Sequence, residues 1–417
     1  MKWISALVVY MSFVGMNLVG SAALGQQQGG QQQGAQQQGG QQQRQLRFSA
    51  ADILPASVLK TKTYEITDRV FVKDHKFQFS IETAYGTFPV TGIPLLEKRL
   101  SELRAIEEAS QISRQPVAVS GAWSTLRRTP QGAQHLLTDP LGTFKQAPTG
   151  IRKMAANFVD PVSRRTGSES RRKLAANLGV DPETRNPVLH QLLVTLAARE
   201  MVGQSATKFA LSAAIPGLGT LASMEDMRDA VAARSPHELL QELDVELTRM
   251  ETWRPVKDAF VKSSKWTLLE KLTFLQSYKQ LANIEHSDLM LYLASQDETE
   301  EDILRRLIVV RLLAELHSKS PIQSISDAGL PIALLKSGQI VGVCSIDYLT
   351  DSEEVRRVAT EFRKNNSSAS ISLLSAGWVS PDAKTTLSEN RINFLRADFA
   401  VNPQAARLSN AYEGSRR

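Results

Sequence analysis

The run "PIALLKSGQIVGVCSI", residues 331–346, decides how the C-terminal part of this chain folds. Two apolar segments rich in Ile, Leu and Val lie on either side of Ser337 and Gly338, a pair that favours a tight turn. The pattern predicts two strands joined at that turn. Helical and strand patterns then alternate, and together they predict a small α/β domain with the order ββαβαβ over residues 329–400.

The elements after this hairpin have their own signals. "TDSEEVRRVATEFRKN" predicts a helix, with Thr350 or Asp351 as its N-cap. "SASISLLS" predicts a strand, "SPDAKTTLSEN" a short helix and "RINFLRA" the last strand. We expect residues 401–417 to form a flexible tail, because terminal residues without apolar anchors fray.

Upstream of this domain, residues 113–320 have helical periodicity interrupted by proline at short intervals. That spacing predicts several helices of moderate length and argues against one long coiled coil. The clearest helices are predicted over residues 187–203, 236–251, 265–281 and 300–319.

The N-terminal pattern is different. Within residues 48–112, three segments alternate apolar and polar side chains, which predicts a three-stranded β-meander packed on a helix from 93 to 110. The segments are "TYEITDRVFV", "KFQFSIET" and "GTFPVTG", and the helix carries an apolar stripe at Leu95, Leu96, Leu100, Leu103 and Ile106. The whole chain is therefore predicted to be an α+β protein, predominantly α-helical, with an N-terminal β-meander, a central multi-helix domain and the small C-terminal α/β domain.

Residues 1–25 have the pattern of a secretory signal peptide. Lys2 precedes an uncharged apolar stretch, and small residues end the segment, so we expect cleavage after Gly25 and export to the periplasm, cell envelope or exterior. An uncleaved membrane anchor is the alternative. Residues 26–47 are rich in Gln and Gly and offer no apolar face, which predicts a disordered linker. A Gln-rich self-associating segment is the alternative for that stretch.

Few residues in the chain have the spacing that catalysis or metal binding requires. Cys344 is the single cysteine and lies in an apolar run, so we interpret it as a buried hydrophobic residue. The six histidines are scattered, and no metal site or cofactor is predicted. No nucleophile elbow, P-loop or dinucleotide fingerprint occurs, which leaves enzymatic activity an open question and catalytic residues unknown.

Positive charge is concentrated in one region. Residues 114–185 contain twelve Lys or Arg residues against five Asp or Glu residues, while the formal charge of the whole chain is +6. This region is a candidate contact for an anionic envelope polymer or lipid head groups, since export argues against nucleic acid; a protein partner stays open. An ordinary solvated surface is the alternative. The candidate residues are Arg127, Arg128, Arg152, Lys153, Arg164, Arg165, Arg171, Arg172 and Lys173.

A second candidate site lies in the predicted α/β domain. Ligands of open α/β sheets gather at the carboxyl ends of the strands, where Asp347, Tyr348, Asp351, Ser375 and Trp378 are placed. Helix capping by Asp351 and core packing of Trp378 are the alternative explanation.

These patterns favour an exported, non-catalytic binding or assembly protein of the cell envelope that contacts an anionic partner through its basic helical region. One alternative is a secreted hydrolase with its site at the strand ends. Another is a membrane-active protein that uses the uncharged residues 209–224, although a buried helix-turn-helix also fits them; no transmembrane span is expected in the mature chain.

Overall fold

A computed structural model describes residues 46–83, 86–113, 163–198 and 222–397, which form 13 helices and 12 strands. These elements are mixed α and β structure in which helix predominates, as predicted. The predicted signal peptide, residues 26–45 of the linker, residues 209–221 of the uncharged stretch and the tail from 401 lie outside the described ranges.

The N-terminal elements form a five-stranded antiparallel sheet. Its strands are β1 (Arg47–Ser49), β2 (Tyr64–Ile66), β3 (Arg69–Lys73), β4 (Lys76–Thr83) and β5 (Gly86–Thr91), with two short helices, α1 (Ala50–Ile53) and α2 (Ala56–Leu59), after β1. Strand β4 is central, because β3 and β2 pair along one of its edges and β5 along the other.

This sheet corrects two sequence predictions. The segment "TYEITDRVFV" forms two strands, separated at Thr67 and Asp68. The N–H of Thr67 donates to the carbonyl of Ser80, and the carbonyl of Asp68 accepts the N–H of Ala50. Arg47 belongs to a strand and not to the linker, since it pairs with Phe71. The predicted apolar face of β4 is confirmed: Phe77, Phe79 and Ile81 are all buried.

Helix α3 (Ile93–Ser113) follows the sheet directly. It begins where predicted, with Pro94 in its first turn, a position that lacks an intrahelical hydrogen bond in any case. The predicted apolar stripe from Leu95 to Ile106 is buried.

The central part is helical. It contains α4 (Ser163–Asn177), α5 (Pro187–Ala198), α6 (Ala222–Ala233), α7 (Pro236–Arg249), α8 (Arg254–Lys262), α9 (Leu268–Tyr278), α10 (Asp288–Gln296) and α11 (Glu300–Lys319). Helix α11 has the predicted bounds, and a capping box between Thr299 and Asp302 fixes its start. Helix α9 is shorter than predicted, because Thr267 and Glu270 form a capping box that starts it at Leu268.

The C-terminal elements form a second five-stranded sheet and a small two-stranded one. Strands β6 (Ile322–Asp327), β7 (Pro331–Leu335), β8 (Ile340–Cys344), β10 (Ile371–Ser375) and β12 (Ile392–Arg396) make the larger sheet, in the order β12-β10-β8-β7-β6. Strands β8, β10 and β12 are parallel to one another, while β7 runs antiparallel to both of its neighbours, β8 and β6. The smaller sheet pairs β9 (Tyr348–Leu349) with β11 (Trp378–Val379).

Two helices connect the parallel strands, α12 (Glu353–Asn365) and α13 (Pro381–Glu389). The hairpin and these elements follow one another in the predicted order, but β6, β9 and β11 were not predicted. The N-cap of α12 is Ser352, whose side chain accepts the N–H of Val355, and not Thr350 or Asp351.

One hydrophobic cluster joins the N-terminal sheet, the helices around α9 and α11, and the larger C-terminal sheet. The ring of Tyr348, in β9, lies 5.0 Å from that of Phe48 and 5.8 Å from that of Phe77. The core is therefore shared by the three regions that the sequence analysis treats as domains. A second cluster lies among α3, α4 and α5, and a third lies beneath α12 and α13.

Candidate functional site

The predicted ligand residue Asp347 lies between the two larger sheets. One oxygen of its buried carboxylate accepts the backbone N–H groups of Phe77 at 3.0 Å and Ile93 at 3.2 Å. Its own N–H donates to the carbonyl of His75 at 3.0 Å. Burial raises the pKa of Asp347 to about 6, against the opposing effect of the two N–H groups and of Lys76. Asp347 thus joins β4, the start of α3 and the segment that leads into β9.

The other predicted ligand residues also have protein partners. Tyr348 pairs with Trp378 between β9 and β11, and the guanidinium of Arg396 lies 4.7 Å from the ring of Trp378. Ser375 accepts the N–H of Gly377 at 3.2 Å. The structure therefore brings Asp347, Tyr348 and Trp378 together in contacts that hold the fold.

Asp351 takes part in a different set of contacts. Its carboxylate accepts a hydrogen bond from Nε of Arg356 at 3.1 Å and another from the Thr386 hydroxyl at 2.9 Å. It links α12 to α13 and so lies apart from the Asp347 contacts. Ligand binding by these five residues stays a prediction.

A small cleft of about 270 Å³, including its open mouth, lies beside Asp347. Two of the charged residues that line it, Lys76 and Glu301, form an ion pair with each other. The lining comes from the N-terminal sheet, α3, α11 and the end of β8: Lys76, Thr91, Gly92, Pro94, Leu95, Glu301, Leu304, Arg305, Ser345 and Asp347.

The structure describes part of the basic region. Four of the candidate residues lie outside the described ranges: Arg127, Arg128, Arg152 and Lys153. Two others, Arg164 and Arg165, lie in the first turn of α4. Arg172 is buried, whereas Lys173 is exposed and pairs with Glu169 at 2.6 Å. Arg171 is half-buried, and its pKa is lowered by burial and then by the positive charge of Arg172, which outweigh Glu183 and Asp181. Of the three candidate residues in α4 whose side chains the structure describes, Lys173 is the exposed one.

A network of buried charges was missed by the sequence analysis. Three cations and three carboxylates from α3, α9, α11 and the segment before α5 pair with one another: Lys98, Arg99, Arg185, Glu102, Glu270 and Glu300. Lys98 lies 3.0 Å from Glu270 and 2.6 Å from Glu300, and Arg185 lies 3.0 Å from the other oxygen of Glu270. The charges of this set sum to zero, so the network is balanced without an external ion.

The protonation equilibria of the network follow from that pairing. Burial acts to raise the pKa of Glu300, but Arg99 and Lys98 outweigh it and hold the pKa well below its usual range. Burial acts to lower the pKa of Lys98, but Glu270 and Glu300 raise it overall. Glu300 and Lys98 are therefore held in their ionised forms, which suits a structural ion pair better than a proton-transfer site.

The prediction of a buried Cys344 is confirmed in part, because the residue is half-buried. The Cys344 thiol donates to the carbonyl of Leu374 at 3.9 Å. Burial raises its pKa to about 12, so its thiolate is scarce at neutral pH.

An exposed aromatic surface, formed by Trp253 and Tyr292, is the strongest candidate for a functional site. Their exposed fractions are 62% and 48%, although both are large hydrophobic residues. The N–H of Trp253 donates to the carboxylate of Asp288 at 2.9 Å, and Tyr292 lies one helical turn beyond Asp288 on α10. Asp288 therefore holds the backbone of Trp253, and Tyr292 follows one turn later on the same helix as Asp288.

The base under this aromatic surface is rigid. The hydroxyl of Tyr278 donates to the other Asp288 oxygen at 3.0 Å, and Tyr278 stacks on Phe274 with ring centroids 5.6 Å apart. Trp266, just before the N-cap of α9, donates to the carbonyl of Ala294 at 2.8 Å, which ties the start of α9 to α10, and its ring packs against Phe260 of α8 with centroids 5.2 Å apart. No local motif marks these two residues, because their exposure depends on how α8 and α10 pack.

Within the described ranges, no three or more His, Cys, Asp or Glu side chains lie close enough together to hold a metal ion. None of the helices in those ranges combines the length and apolar character that a membrane span needs. Comparison with known proteins gives no match to a family model, a curated protein or a solved structure.

Proposed function

We propose that this chain is an exported, non-catalytic binding or assembly protein. The observation that carries the proposal is the aromatic surface, where Trp253 and Tyr292 flank Asp288 with 62% and 48% of their area exposed. Trp and Tyr side chains supply a large share of the binding energy of protein interfaces, because they bury much apolar area with few rotatable bonds.

The rigidity of the base supports a binding function. The carboxylate of Asp288 accepts hydrogen bonds from the Tyr278 hydroxyl and from the backbone N–H of Trp253. Trp253 is the N-cap of α8, so these bonds fix the start of α8 relative to α10 before a partner binds. A pre-organised surface loses less conformational entropy on association. The bound protein partner would cover apolar area that water now contacts.

The basic region supplies a second contact in this proposal. The exposure of Lys173 and the concentration of basic residues in the sequence between 114 and 185 support attraction to an anionic envelope polymer or lipid head groups. Attraction of this kind weakens as salt is added, because counterions screen exposed charges. Export rests on the sequence pattern of residues 1–25.

The test is fractionation of cells that produce the full chain, with N-terminal sequencing of the product. We expect a mature protein that begins at Gln26 and sediments with the envelope. The double variant Trp253→Ala/Tyr292→Ala should shift to the soluble fraction, while the control Val245→Ala, which alters a residue of similar exposure on α7, should not. Equal sedimentation of the double variant and wild type would exclude the aromatic surface as the contact.

The dependence of binding on salt distinguishes the contact made by the basic region from the contact made by the aromatic surface. Raising the ionic strength should release the anionic contact and leave the aromatic one. A soluble cytoplasmic chain that still begins at Met1 would exclude export.

A further inference from the structure

Strand β12 is the edge of the larger C-terminal sheet. The N–H of Ala397, just after β12, donates to the carbonyl of Ser375 in β10 at 2.9 Å. In a parallel pair, alternate residues point their N–H and C=O groups to the neighbouring strand. Asn393 and Leu395 therefore face β10 with Ala397, and the N–H and C=O groups of Ile392 and Phe394 point away from the sheet.

The opposite edge of the sheet, strand β6, is covered by backbone hydrogen bonds to a loop. Next to β6, the N–H of Glu285 donates to the carbonyl of Gln323 at 3.3 Å, and the N–H of Ile325 donates to the carbonyl of Glu285 at 3.0 Å. A loop before α10 thus covers the β6 edge. Among the described residues, no strand pairs with the outer edge of β12. Native sheets commonly cover or charge their edges, so an open one marks a place where a strand can add.

Each face of the sheet has an apolar side chain beside this edge, together with Asn393 on one face and Arg396 on the other. Leu395 is 38% exposed and lies in register with Leu374, which belongs to the main core. On the other face, Ile392 is buried and Phe394 packs against the cluster beneath α12 and α13. An added strand would cover Leu395 on one face and the edge of Phe394 on the other, which favours apolar side chains at both kinds of position.

Positive charge lies at the start of β12. Arg391 precedes the strand and is exposed, and the guanidinium of Arg363 donates to the carbonyl of Asn390 at 2.8 Å and is also bonded to that of Arg391. A carboxylate at the matching end of an added strand would lie next to these two cations.

We propose that β12 binds an extended segment of a partner protein as an additional strand, with apolar side chains in its middle and an acidic residue beside Arg391. The main chain of the segment would pair with Ile392 and Phe394, and its side chains would cover Leu395. This inference rests on the proposed binding function and names the form of the partner. Strand addition gives affinity through main-chain hydrogen bonds and specificity through alternate side chains.

A second copy of this chain fits the edge less well. Antiparallel self-pairing centred on Phe394 places Arg396 of one copy opposite Ile392 of the other, one residue from its Arg391, so positive charge from both copies gathers at each end of the pair. Dimerisation through β12 is therefore an outcome that would contradict the proposal.

The experiment selects peptides of about ten residues from a random display library against the full chain, a length that spans a strand of this size. We expect the selected peptides to share alternating apolar residues and an acidic end. Binding should weaken about tenfold or more for Leu395→Lys, because an inserted lysine opposes strand addition at an edge. The matched control is Val358→Lys on α12, which changes an apolar residue that is 40% exposed and should leave binding unchanged.

Amide exchange measured by NMR gives a second, independent readout. Bound peptide should slow exchange at the amides of Ile392 and Phe394, whereas those of Asn393 and Leu395 already bond to β10 and should change little. Thermal melts check that both lysine variants stay folded.

Three outcomes would overturn the proposal: selection of no peptide, peptides that bind Leu395→Lys as well as wild type, or a dimer that Leu395→Lys converts to monomer. Peptides that lose binding to Trp253→Ala/Tyr292→Ala and keep it for Leu395→Lys would exclude β12 and leave the aromatic surface as the binding site.

Discussion

The carboxylate of Asp347 lies 3.0 Å from the backbone nitrogen of Phe77 and accepts its N–H. This bond joins the central strand of the N-terminal sheet to the segment that enters β9. Because Asp347 also accepts the N–H of Ile93, one side chain fixes the sheet, the start of α3 and the C-terminal elements relative to one another.

The substitution Asp347→Asn tests the energetic role of this contact. The pKa of Asp347 is raised from 3.8 to about 6, so the folded state holds the proton more tightly than the unfolded state does. Ionised Asp347 therefore lowers the free energy of unfolding, by about 3 kcal/mol above pH 6 relative to acid. Stability from this residue is lost as the pH rises from about 4 to about 6, and Asn removes that dependence.

Urea unfolding of wild type and Asp347→Asn between about pH 4 and pH 7 measures the effect. The stability of the variant relative to wild type should increase by about 3 kcal/mol across this range. A constant difference would mean that the Asp347 carboxyl titrates at its ordinary pKa.

Glu270→Gln tests the buried charge network. The change leaves Lys98 and Arg185 without their shared carboxylate in a dry environment, and we expect a loss of about 3–5 kcal/mol in the free energy of unfolding. The control is Lys60→Gln, which breaks the exposed pair with Glu65 and should cause no measurable change. Similar small effects from both changes would contradict the assignment of the network as a stabilising unit.

Gly377→Ala tests the close approach of the β10–β11 turn to the segment before β9. An alanine Cβ there would lie 2.1 Å from the carbonyl oxygen of Ile346 and 2.6 Å from that of Asp347, so the backbone must move. We expect a loss above about 3 kcal/mol.

Gly338→Ala is the matched control for that change. Gly338 has φ near +82° but open space around its Cβ position, so the cost should be only about 1–2 kcal/mol. Equal costs for the two variants, measured by urea unfolding, would show that the turn accommodates a side chain.

The reactivity of Cys344 gives a direct check of its burial. With its pKa raised to about 12, the thiol should react very slowly with a disulfide reagent in native buffer at mildly alkaline pH and rapidly once denaturant unfolds the chain. Rapid reaction of the native protein would place the sulfur in an accessible position.

Local signals were sufficient for several elements. The bounds of α11 follow from the cap at Thr299, the acidic first turn and the basic last turn, all of which are written in consecutive residues. The predicted N-cap of α12, Thr350 or Asp351, is wrong because Thr350, Asp351 and Ser352 can each cap a helix. Tertiary contacts decide among them: Asp351 is held by Arg356 and Thr386, which leaves Ser352 to accept the N–H of Val355.

The candidate sites depend more on distant contacts. Each charge of the buried network resembles a surface residue in its own helix, and only the packing of α3 on α9 and α11 shows that Lys98 meets Glu270 and Glu300. The aromatic surface has no signal at all in the sequence, since Trp253 and Trp266 differ only in where packing places them.

The bond between Phe77 and Asp347 also bears on folding, because 270 positions separate the two residues in the chain. A ribosome makes the N-terminal sheet long before the residue that completes it. Until Asp347 has been made, the N–H of Phe77 can bond only to water or to a wrong partner, and the aromatic side of the sheet stays uncovered and open to misassembly. Contacts of such high order slow folding, so we expect late, post-translational completion of this core and a benefit from a chaperone that holds the early part of the chain.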